Sequence, residues 1–147
     1  MAWIRNWFSN MLNMDHPYIE DGISYRTSEH YYQAQKIPEL EKHLRKELSE
    51  MGPFTCKVAM TTGKYPIRDD WNNIKESVME KILRYKFSKG TTWHEKLMNT
   101  EGDIIEYNNW GDEWWGVNID TNVGLNKLGK ILMKIRSDYQ LQDMFDK

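Results

Sequence analysis

Apolar residues recur at helical spacing through most of this chain. The longest run predicts the longest helix of the fold, with a buried face made of Trp71, Ile74, Val78, Ile82 and Tyr85. Asp69 or Asp70 stands where an N-cap is expected, and Gly90 stands where the helix should end.

Shorter apolar stripes predict further helices. One charged segment carries a stripe made of Leu40, Leu44, Leu48 and Met51. Thr92 followed by Glu95 forms a capping box. The tail after Ser137 is open to either a helical or a frayed conformation. Besides the longest one, helices are predicted from Thr27 or Ser28 to just before Pro38, and over residues 39–51, 54–62, 92–99 and 124–136.

Two segments read as β-structure. Tyr18 to Tyr25 has Asp21-Gly22 at its centre and predicts a hairpin, because glycine readily adopts the positive φ of a tight turn. Ile104 and Ile105 predict a short strand. The segment from Asn108 to Val123 has no period and predicts a long functional loop. The expected fold class is therefore mainly α with minor β (α+β), in one compact domain over residues 1–147.

Composition narrows the function. Aromatic residues make up 13% of the chain, with seven tryptophans, and a ligand-stacking wall would account for part of them. The formal net charge of −2 argues against an electrostatic nucleic-acid binder, which would carry a basic excess. An enzyme that holds a single nucleotide in a pocket remains compatible with this charge.

The single cysteine, Cys56, favours a reducing compartment and reads as a core thiol rather than a nucleophile. The sequence shows no leader peptide and no apolar run long enough for a membrane span. These features predict a cytoplasmic protein without a membrane partner.

The segment from Thr27 to Lys36 is unusually rich in polar and aromatic groups. Glu29, Gln33 and Lys36 fall at i, i+4 and i+7, so their side chains project from one helix face. The functional reading is a catalytic wall with Glu29 as acid, base or ion stabiliser. The alternative is an exposed helix face with the two tyrosines packing elsewhere. His30 is expected to bond to the backbone rather than to a metal, because no second ligand stands at metal-binding spacing.

A second cluster is Asp112-Glu113-Trp114-Trp115-Gly116. A carboxylate three residues before a Trp-Gly pair can offer one ligand an acid and a stacking ring, while Gly116 lets the backbone approach. The alternative is a loop pinned to the core by its tryptophans.

Arg68 precedes the predicted longest helix. It could bind a phosphate, since the guanidinium fork matches phosphate geometry. The competing and favoured reading from the sequence is an ion pair with Asp69 or Asp70.

These clusters, in this order, resemble the NADAR family of YbiA-like N-glycosidases. The resemblance covers nearly the whole chain. It is carried by Trp7-Phe8-Ser9-Asn10, Asp21-Gly22, Thr27 to Lys36, Ile67-Arg68-x-x-Trp71, Val78-Met79, Lys86-Phe87, Leu97-x-x-Thr100, Ile105-Glu106, Asp112-x-x-Trp115-Gly116, Gly124-x-Asn126-x-Leu128-Gly129 and Leu132-Met133-x-x-Arg136.

The resemblance implies hydrolysis of the N-glycosidic bond between ribose and a base-like amine, without a cofactor or metal. Implied substrates are phosphorylated riboflavin-pathway intermediates, or ADP-ribose attached to guanine in DNA. A non-catalytic NAD or ADP-ribose reader is a further alternative. Family members usually carry an extra segment before the Phe-Ser-Asn motif, and only seven residues precede Phe8 here.

The resemblance also implies roles for individual residues. Glu29 matches the catalytic glutamate, Asp112 and Trp115 match a second acidic-aromatic pair, and Lys36 matches the lysine of the same helix. Lys36 is expected either to contact a phosphate or to attack the opened sugar as an amine. The expected substrate-binding residues are Gln33, Arg68, Asn126, Gly116, Asn10 and Tyr25.

Overall fold

A computed structural model describes residues 2–3 and 8–146 of the chain. Within these residues it contains six helices and six short strands. In chain order they are β1 (Ala2–Trp3), β2 (Asn13–Glu20), β3 (Ile23–Thr27), α1 (Ser28–Gln35), α2 (Lys42–Ser49), α3 (Pro53–Ala59), α4 (Trp71–Lys86), α5 (Thr92–Met98), β4 (Ile104–Ile105), β5 (Tyr107–Asn108), β6 (Val117–Asn118) and α6 (Lys127–Phe145). The expected fold class, mainly α with minor β, is confirmed.

The chain divides into two compact units. The central unit comprises residues 10–86, and the terminal unit comprises the start of the chain with the residues from 87 onward. No helix in the described part of the chain is long and apolar enough to cross a membrane. The expectation that residues 1–147 form one domain stays a prediction.

In the central unit, β2 and β3 form the expected antiparallel hairpin, with Tyr18 opposite Tyr25. Asp21 and Gly22 make the turn, and both have positive φ angles of 53° and 76°. A hairpin turn of this kind needs positive φ at its centre, which Gly and Asp supply at low cost. The hairpin leads directly into α1.

Helix α1 is buried along its whole length. Thr27 caps it, because the threonine hydroxyl accepts a hydrogen bond from the backbone N–H of His30 at 3.0 Å. The helix packs against β3, α2, α3 and α4. At its other end, Arg45 donates from Nε and Nη2 to the carbonyl of Ile37. The predicted start and end of this helix are confirmed.

The prediction of one helix over residues 39–51, with Leu40 on its buried stripe, is partly wrong. Helix α2 begins at Lys42 rather than at Glu39, because residues 38–41 form a turn closed by a bond from the N–H of Glu41 to the carbonyl of Pro38. Leu40 is therefore outside the helix and 93% exposed. The buried positions of α2 are Arg45, Leu48 and Ser49.

Helix α3 is shorter than the predicted segment 54–62 and ends at Ala59. The hydroxyls of Thr61 and Thr62 donate to the carbonyls of Val58 and Ala59, which satisfies acceptors at the helix end. Helix α4 begins at Trp71, as predicted, but ends at Lys86 rather than near Gly90, and Ile74, Val78 and Tyr85 on the predicted face are only half-buried.

In the terminal unit, β1 pairs with β4 and β5 pairs with β6, both in parallel. Helix α5 is capped by Thr91, whose hydroxyl accepts from the N–H of His94, one residue before the predicted cap. The core includes the edge-to-face pair of Phe8 and Phe87, whose ring centroids are 5.6 Å apart. Leu97 and Ile104 of the same unit are also fully buried.

The longest helix is α6, with 19 residues against 16 in α4, so the prediction for the longest helix was wrong. Residues 124–126 are not helical, because Gly124 and Asn126 have φ angles of 153° and 52°. The helix therefore starts at Lys127, and the tail beyond Ser137 continues it to Phe145. Because the tail contains few apolar residues, the hydrophobic pattern of the sequence did not predict that the helix continues through it.

Candidate active site

The carboxylate of Glu29 is buried and held in one orientation. Its side chain lies in the first turn of α1, where the helix dipole favours a negative charge, and the residue is 6% exposed. Gln33 Nε2 donates to Glu29 Oε1 at 3.0 Å. The i, i+4 wall expected from the sequence is therefore formed, and it is buried rather than an exposed helix face.

Gln33 has a second feature of interest. Its amide orientation is fixed, since the Glu29 carboxylate accepts hydrogen bonds and the Nε2 group must face it. The Oε1 atom of Gln33 is buried without a hydrogen-bond partner in the described part of the chain. A buried acceptor of this kind is typical of a site that a ligand donor completes.

Lys36 follows α1 as its C-cap, and its amine lies beside two aromatic rings. The Nζ atom is 5.4 Å from the ring centre of Tyr32 and 5.9 Å from that of Trp71. Burial lowers the pKa of Lys36 from its ordinary value, and the negative charge of Glu29 partly opposes this shift. A larger neutral fraction makes this amine a better nucleophile than a solvated lysine.

Cys56 on α3 lies near the charges of Glu29 and Lys36. Its thiol is fully buried, and burial with the nearby Glu29 charge raises its pKa to about 12. Such a thiol stays protonated at neutral pH and is a poor nucleophile. The reading of Cys56 as a core thiol is confirmed.

Asn10 and Tyr25 were expected to bind substrate, and both occupy packing positions. Asn10 anchors the start of α1, since its Oδ1 accepts from the Ser28 hydroxyl at 2.7 Å and its carbonyl accepts from the N–H of Glu29 at 3.1 Å. The ring of Tyr25 is buried edge-to-face against Tyr31 at 5.3 Å. Contact of either residue with substrate stays a prediction.

His30 is buried with both ring nitrogens in hydrogen bonds. Nδ1 lies 2.6 Å from the hydroxyl of Thr27, and Nε2 lies 2.7 Å from the carbonyl of Met51. The carbonyl can only accept, so Nε2 carries the proton and Nδ1 accepts from the threonine. Burial lowers the pKa of His30, which favours this neutral form. The residues described hold no group of three His, Cys, Asp or Glu side chains placed to bind a metal ion.

Arg68 forms the ion pair that the sequence favoured. Its Nε and Nη2 atoms donate to the two carboxylate oxygens of Asp70 at 2.6 and 3.1 Å. The backbone N–H of Arg68 also donates to the carbonyl of Lys36 at 2.8 Å, which ties the segment before α4 to the end of α1. A phosphate contact of Arg68 stays a prediction.

In the terminal unit, Asp112 organises its own loop. Its Oδ1 accepts from the backbone N–H groups of Trp114 and Trp115 at 3.1 and 2.9 Å. The other carboxylate oxygen, Oδ2, makes no hydrogen bond within the described residues. Asp112 thus uses one oxygen to shape the loop, and its contact with substrate stays a prediction.

Asn108 fixes the position of Asp112, and sequence reasoning missed it. This fully buried residue donates from Nδ2 to the carbonyl of Asp112 at 2.7 Å and accepts on Oδ1 from the N–H of Asp112 at 3.1 Å. An asparagine four residues before an aspartate in an irregular loop was the available signal, because asparagine side chains often mimic backbone turns.

Gly116 and Asn126 also hold the loop in shape. A Cβ atom on Gly116 would overlap the carbonyl oxygen of Glu106 and lie 2.6 Å from Nδ2 of Asn108. Asn126 donates from Nδ2 to the carbonyl of Ile104 and accepts from the N–H of Glu106, each at 2.9 Å. Gly116 was expected to give a ligand access to the backbone, and the close neighbour is instead protein backbone. Substrate contact by either residue stays a prediction.

The rings of Trp114 and Trp115 lie edge-to-face with centroids 6.5 Å apart. Lys127 Nζ lies over the Trp114 ring at 4.7 Å from its centre. Both tryptophans are half-buried, so the reading of a loop pinned by aromatic rings has structural support. The stacking role of Trp115 stays a prediction.

Comparison with known proteins identifies the family. A family model described as the NADAR domain matches residues 2–140. The chain belongs to the NADAR family. It is 33% identical over 123 residues to the N-glycosidase YbiA of Escherichia coli K12, covering 83% of this chain and 75% of that protein. A riboflavin biosynthesis protein of Vibrio vulnificus is 31% identical over 119 residues, covering 81% of this chain and 32% of that protein.

Structure comparison agrees with this membership. The NMR structure of the E. coli protein YbiA matches with a TM-score of 0.73 and 29% identity, covering 93% of this chain and 79% of that one. The resemblance read from the sequence is confirmed, and so is the expectation that this NADAR chain is an N-glycosidase. The names of the relatives also support a small nucleotide-type substrate.

Within this NADAR chain, the expected site residues fall into two groups. The central unit holds Glu29, Gln33, Lys36, Arg68, Asn10 and Tyr25. The terminal unit holds Asp112, Trp115, Gly116 and Asn126. The structure brings Glu29, Gln33 and Lys36 onto one wall of α1, with Tyr32 and Trp71 beside the lysine. Tyr32 therefore contacts a candidate catalytic residue.

Proposed function

We propose that this chain hydrolyses the N-glycosidic bond between a ribose phosphate and a base-like amine, as in phosphorylated riboflavin-pathway intermediates. The substrate class follows from the relatives named as N-glycosidases and as riboflavin biosynthesis proteins. The observation that carries the proposal is the buried Glu29 carboxylate, fixed by Gln33 on the same helix face as the amine of Lys36.

Glu29 has the chemistry that this reaction needs. Cleavage of an N-glycosidic bond builds positive charge on C1′ and O4′ of the ribose, and a buried carboxylate stabilises that charge strongly. Water adds to C1′ and gives a proton to Glu29 as the general base. The C1′–N bond breaks with its electron pair on nitrogen, and the base leaves as an amine after taking up a proton.

Gln33 supports this step in two ways. Its Nε2 group donates to one oxygen of Glu29 and so fixes the orientation of the carboxylate. Its buried Oε1 accepts a hydrogen bond from a hydroxyl of the ribose, and this bond satisfies an acceptor that has no partner in the described residues.

Lys36 acts as an amine rather than as a phosphate contact. The lowered pKa favours the amine role, because burial enlarges the neutral fraction of this lysine at a given pH. Once the sugar ring opens, the C1′ aldehyde condenses with the amine, water leaves, and an imine joins the lysine to the sugar. The nearby Glu29 carboxylate is available to move the protons of that condensation.

Asp112 and Trp115 keep the roles that the family resemblance assigns. The Oδ2 atom of Asp112 accepts from a ribose hydroxyl or assists the leaving amine, because only Oδ1 is used by the loop. Trp115 stacks on a planar base. Arg68 can bind the phosphate of the substrate only if it gives up its ion pair with Asp70 for one with the phosphate. A cytoplasmic location completes the proposal, in line with the single buried thiol.

The assay that tests this function offers three substrates. The protein is incubated with ribosylaminopyrimidine phosphate, with DNA carrying ADP-ribose on guanine, and with NAD, and released base and sugar are measured by mass spectrometry. Release from the ribosylaminopyrimidine phosphate is expected. If base and sugar are released from the DNA alone, the substrate is ADP-ribosylated DNA rather than a riboflavin-pathway intermediate. If the protein binds ADP-ribose but releases nothing from any of the three compounds, it is a non-catalytic ADP-ribose-binding module.

A further inference from the structure

A polar cavity lies within the central unit, on a side of α1 that does not carry Glu29. It has a volume of about 490 Å³, which is within the usual range for small-molecule sites. Tyr31 and Gln35 of α1 line it, whereas Glu29, Gln33 and Lys36 do not. At 100° per residue, Gln35 lies roughly 120° and Tyr31 roughly 160° around the helix from Glu29, so the two faces are separate.

Gln35 brings an unsatisfied donor to this cavity. The residue is 7% exposed, and its Oε1 accepts from Arg45 Nη1 at 3.2 Å. Arginine has only donors, so this bond fixes the amide orientation and makes Nε2 the free end. Nε2 is buried and has no hydrogen-bond partner in the part of the chain that the structure describes.

Arg45 adds a buried positive charge to the same wall. It is 3% exposed and donates only to neutral acceptors, the carbonyl of Ile37 and the amide of Gln35. Among the described residues, its guanidinium forms no ion pair. One N–H on each terminal nitrogen remains after these bonds. A buried cation with neutral partners is costly, and an anion beside it removes that cost.

The remaining charges of the lining define the ligand further. Arg68 and Lys81 are cations of the lining, although Asp70 and Glu20 already pair with them. Three acidic residues also line the cavity: Glu20, Asp21 and Glu39. Such a mixed lining disfavours a highly charged polyphosphate, and its carboxylates accept hydrogen bonds from hydroxyl or amino groups.

We infer that this cavity binds the single oxyanion, phosphate or carboxylate, of a small metabolite that also carries hydroxyl groups. The oxyanion lies against Arg45 and the Nε2 group of Gln35, and the hydroxyls face the acidic side chains. Arg45 and Gln35 are adjacent in the lining, since they share a hydrogen bond, and the same lining also contains three carboxylates. This site is additional to the glycosidase wall and does not depend on its chemistry.

Binding is measured by NMR on ¹⁵N-labelled protein at constant ionic strength. The probes are inorganic phosphate, acetate, ribose 5-phosphate and uncharged ribose. The side-chain amide signals of Gln35, assigned by their loss in Gln35→Glu, are expected to shift with ribose 5-phosphate and with at least one of the two simple anions. The anion that shifts them shows whether phosphate or carboxylate is preferred, and ribose alone is expected to have no effect.

Two variants give the matched comparison. Binding to the variants is followed through the backbone amide signals that ribose 5-phosphate shifts in the unchanged protein. Gln35→Glu keeps an acceptor for Arg45 but places a carboxylate beside it, so ribose 5-phosphate should bind at least about tenfold more weakly. Lys64→Gln removes one exposed positive charge that does not line the cavity, and its binding should equal that of the unchanged protein. The inference is overturned if the Gln35 amide signals do not respond to any anion, if ribose alone shifts them equally, or if both variants lose binding to the same extent.

Discussion

At the scale of single residues, three side chains of α1 depend on one another. Gln33 orients Glu29, and the charge of Glu29 partly offsets the effect of burial on the pKa of Lys36. Helical spacing predicted that these three residues share a face, because i, i+4 and i+7 positions align on any helix. It could not predict their burial, which comes from the elements packed against α1.

The amine role of Lys36 leads to a trapping experiment. Sodium borohydride added during turnover should reduce the imine and leave a protein–ribose adduct on Lys36, detected by peptide mass spectrometry. The yield of adduct should rise with pH as the amine loses its proton. Because burial lowers the pKa of Lys36, that rise should occur below the pH at which an ordinary lysine titrates.

Lys36→Arg separates the two roles proposed for this position. The arginine keeps a positive charge for a phosphate but cannot form an imine, so the adduct should be lost while turnover by Glu29 and water continues. Lys64→Arg, at an exposed position, should keep both the adduct and the turnover. An active unchanged enzyme that gives no adduct, or a Lys36→Arg variant that still gives the same adduct, would remove the amine role.

At the scale of elements, local signals succeeded where local chemistry decides the structure. Asp21-Gly22 set the hairpin turn, and Thr27 set the start of α1. The turn before α2 and the late start of α6 were missed, because both depend on backbone conformations that a periodic pattern does not encode. Leu40 shows the consequence, since an apolar residue at helical spacing is exposed outside the helix.

The loop around Asp112 is held by contacts distant in sequence. Asn126 bridges the backbone of Ile104 and Glu106, and the carbonyl of Gly116 accepts from the N–H of Asn126 at 3.2 Å. These contacts explain why the loop needs an asparagine and a glycine at these positions. Sequence patterns over a short window contain no such information.

Gly116→Ala tests this role of the loop. The added Cβ would overlap the carbonyl of Glu106, so the backbone must shift, at a cost of about 1–3 kcal/mol in the free energy of unfolding. Urea denaturation measures this change. Gly52→Ala is the control, because its Cβ would meet its nearest atom at 3.8 Å, and the cost is then only the loss of a favoured cap residue at the start of α3, about 0.5–1 kcal/mol. Equal stability of the two variants would contradict the proposed packing role of Gly116.

At the scale of the whole molecule, the sequence predicted the class of fold and the family, and less of the site's geometry. The motif from Thr27 to Lys36 was identifiable because so many polar groups in a buried-type helix are unusual. The ion pair of Arg68 with Asp70 was also predictable from proximity in sequence. The scaffold role of Asn10 was not, because its bond to Ser28 spans 18 residues of a fold that must first exist. The bond between Asn108 and Asp112 is local, so its signal was present in the sequence and was missed.

The most direct test of the account compares turnover in Glu29→Gln with turnover in Glu50→Gln, on ribosylaminopyrimidine phosphate. The glutamine at position 29 keeps the size of the side chain but cannot act as a base or stabilise a cation, so turnover should fall by roughly 100- to 10,000-fold. Glu50 is exposed, and its variant should keep normal turnover. Circular dichroism and urea denaturation establish that both variants are folded. A folded Glu29→Gln protein that cleaves the substrate at a near-normal rate would contradict the central claim that Glu29 carries the chemistry.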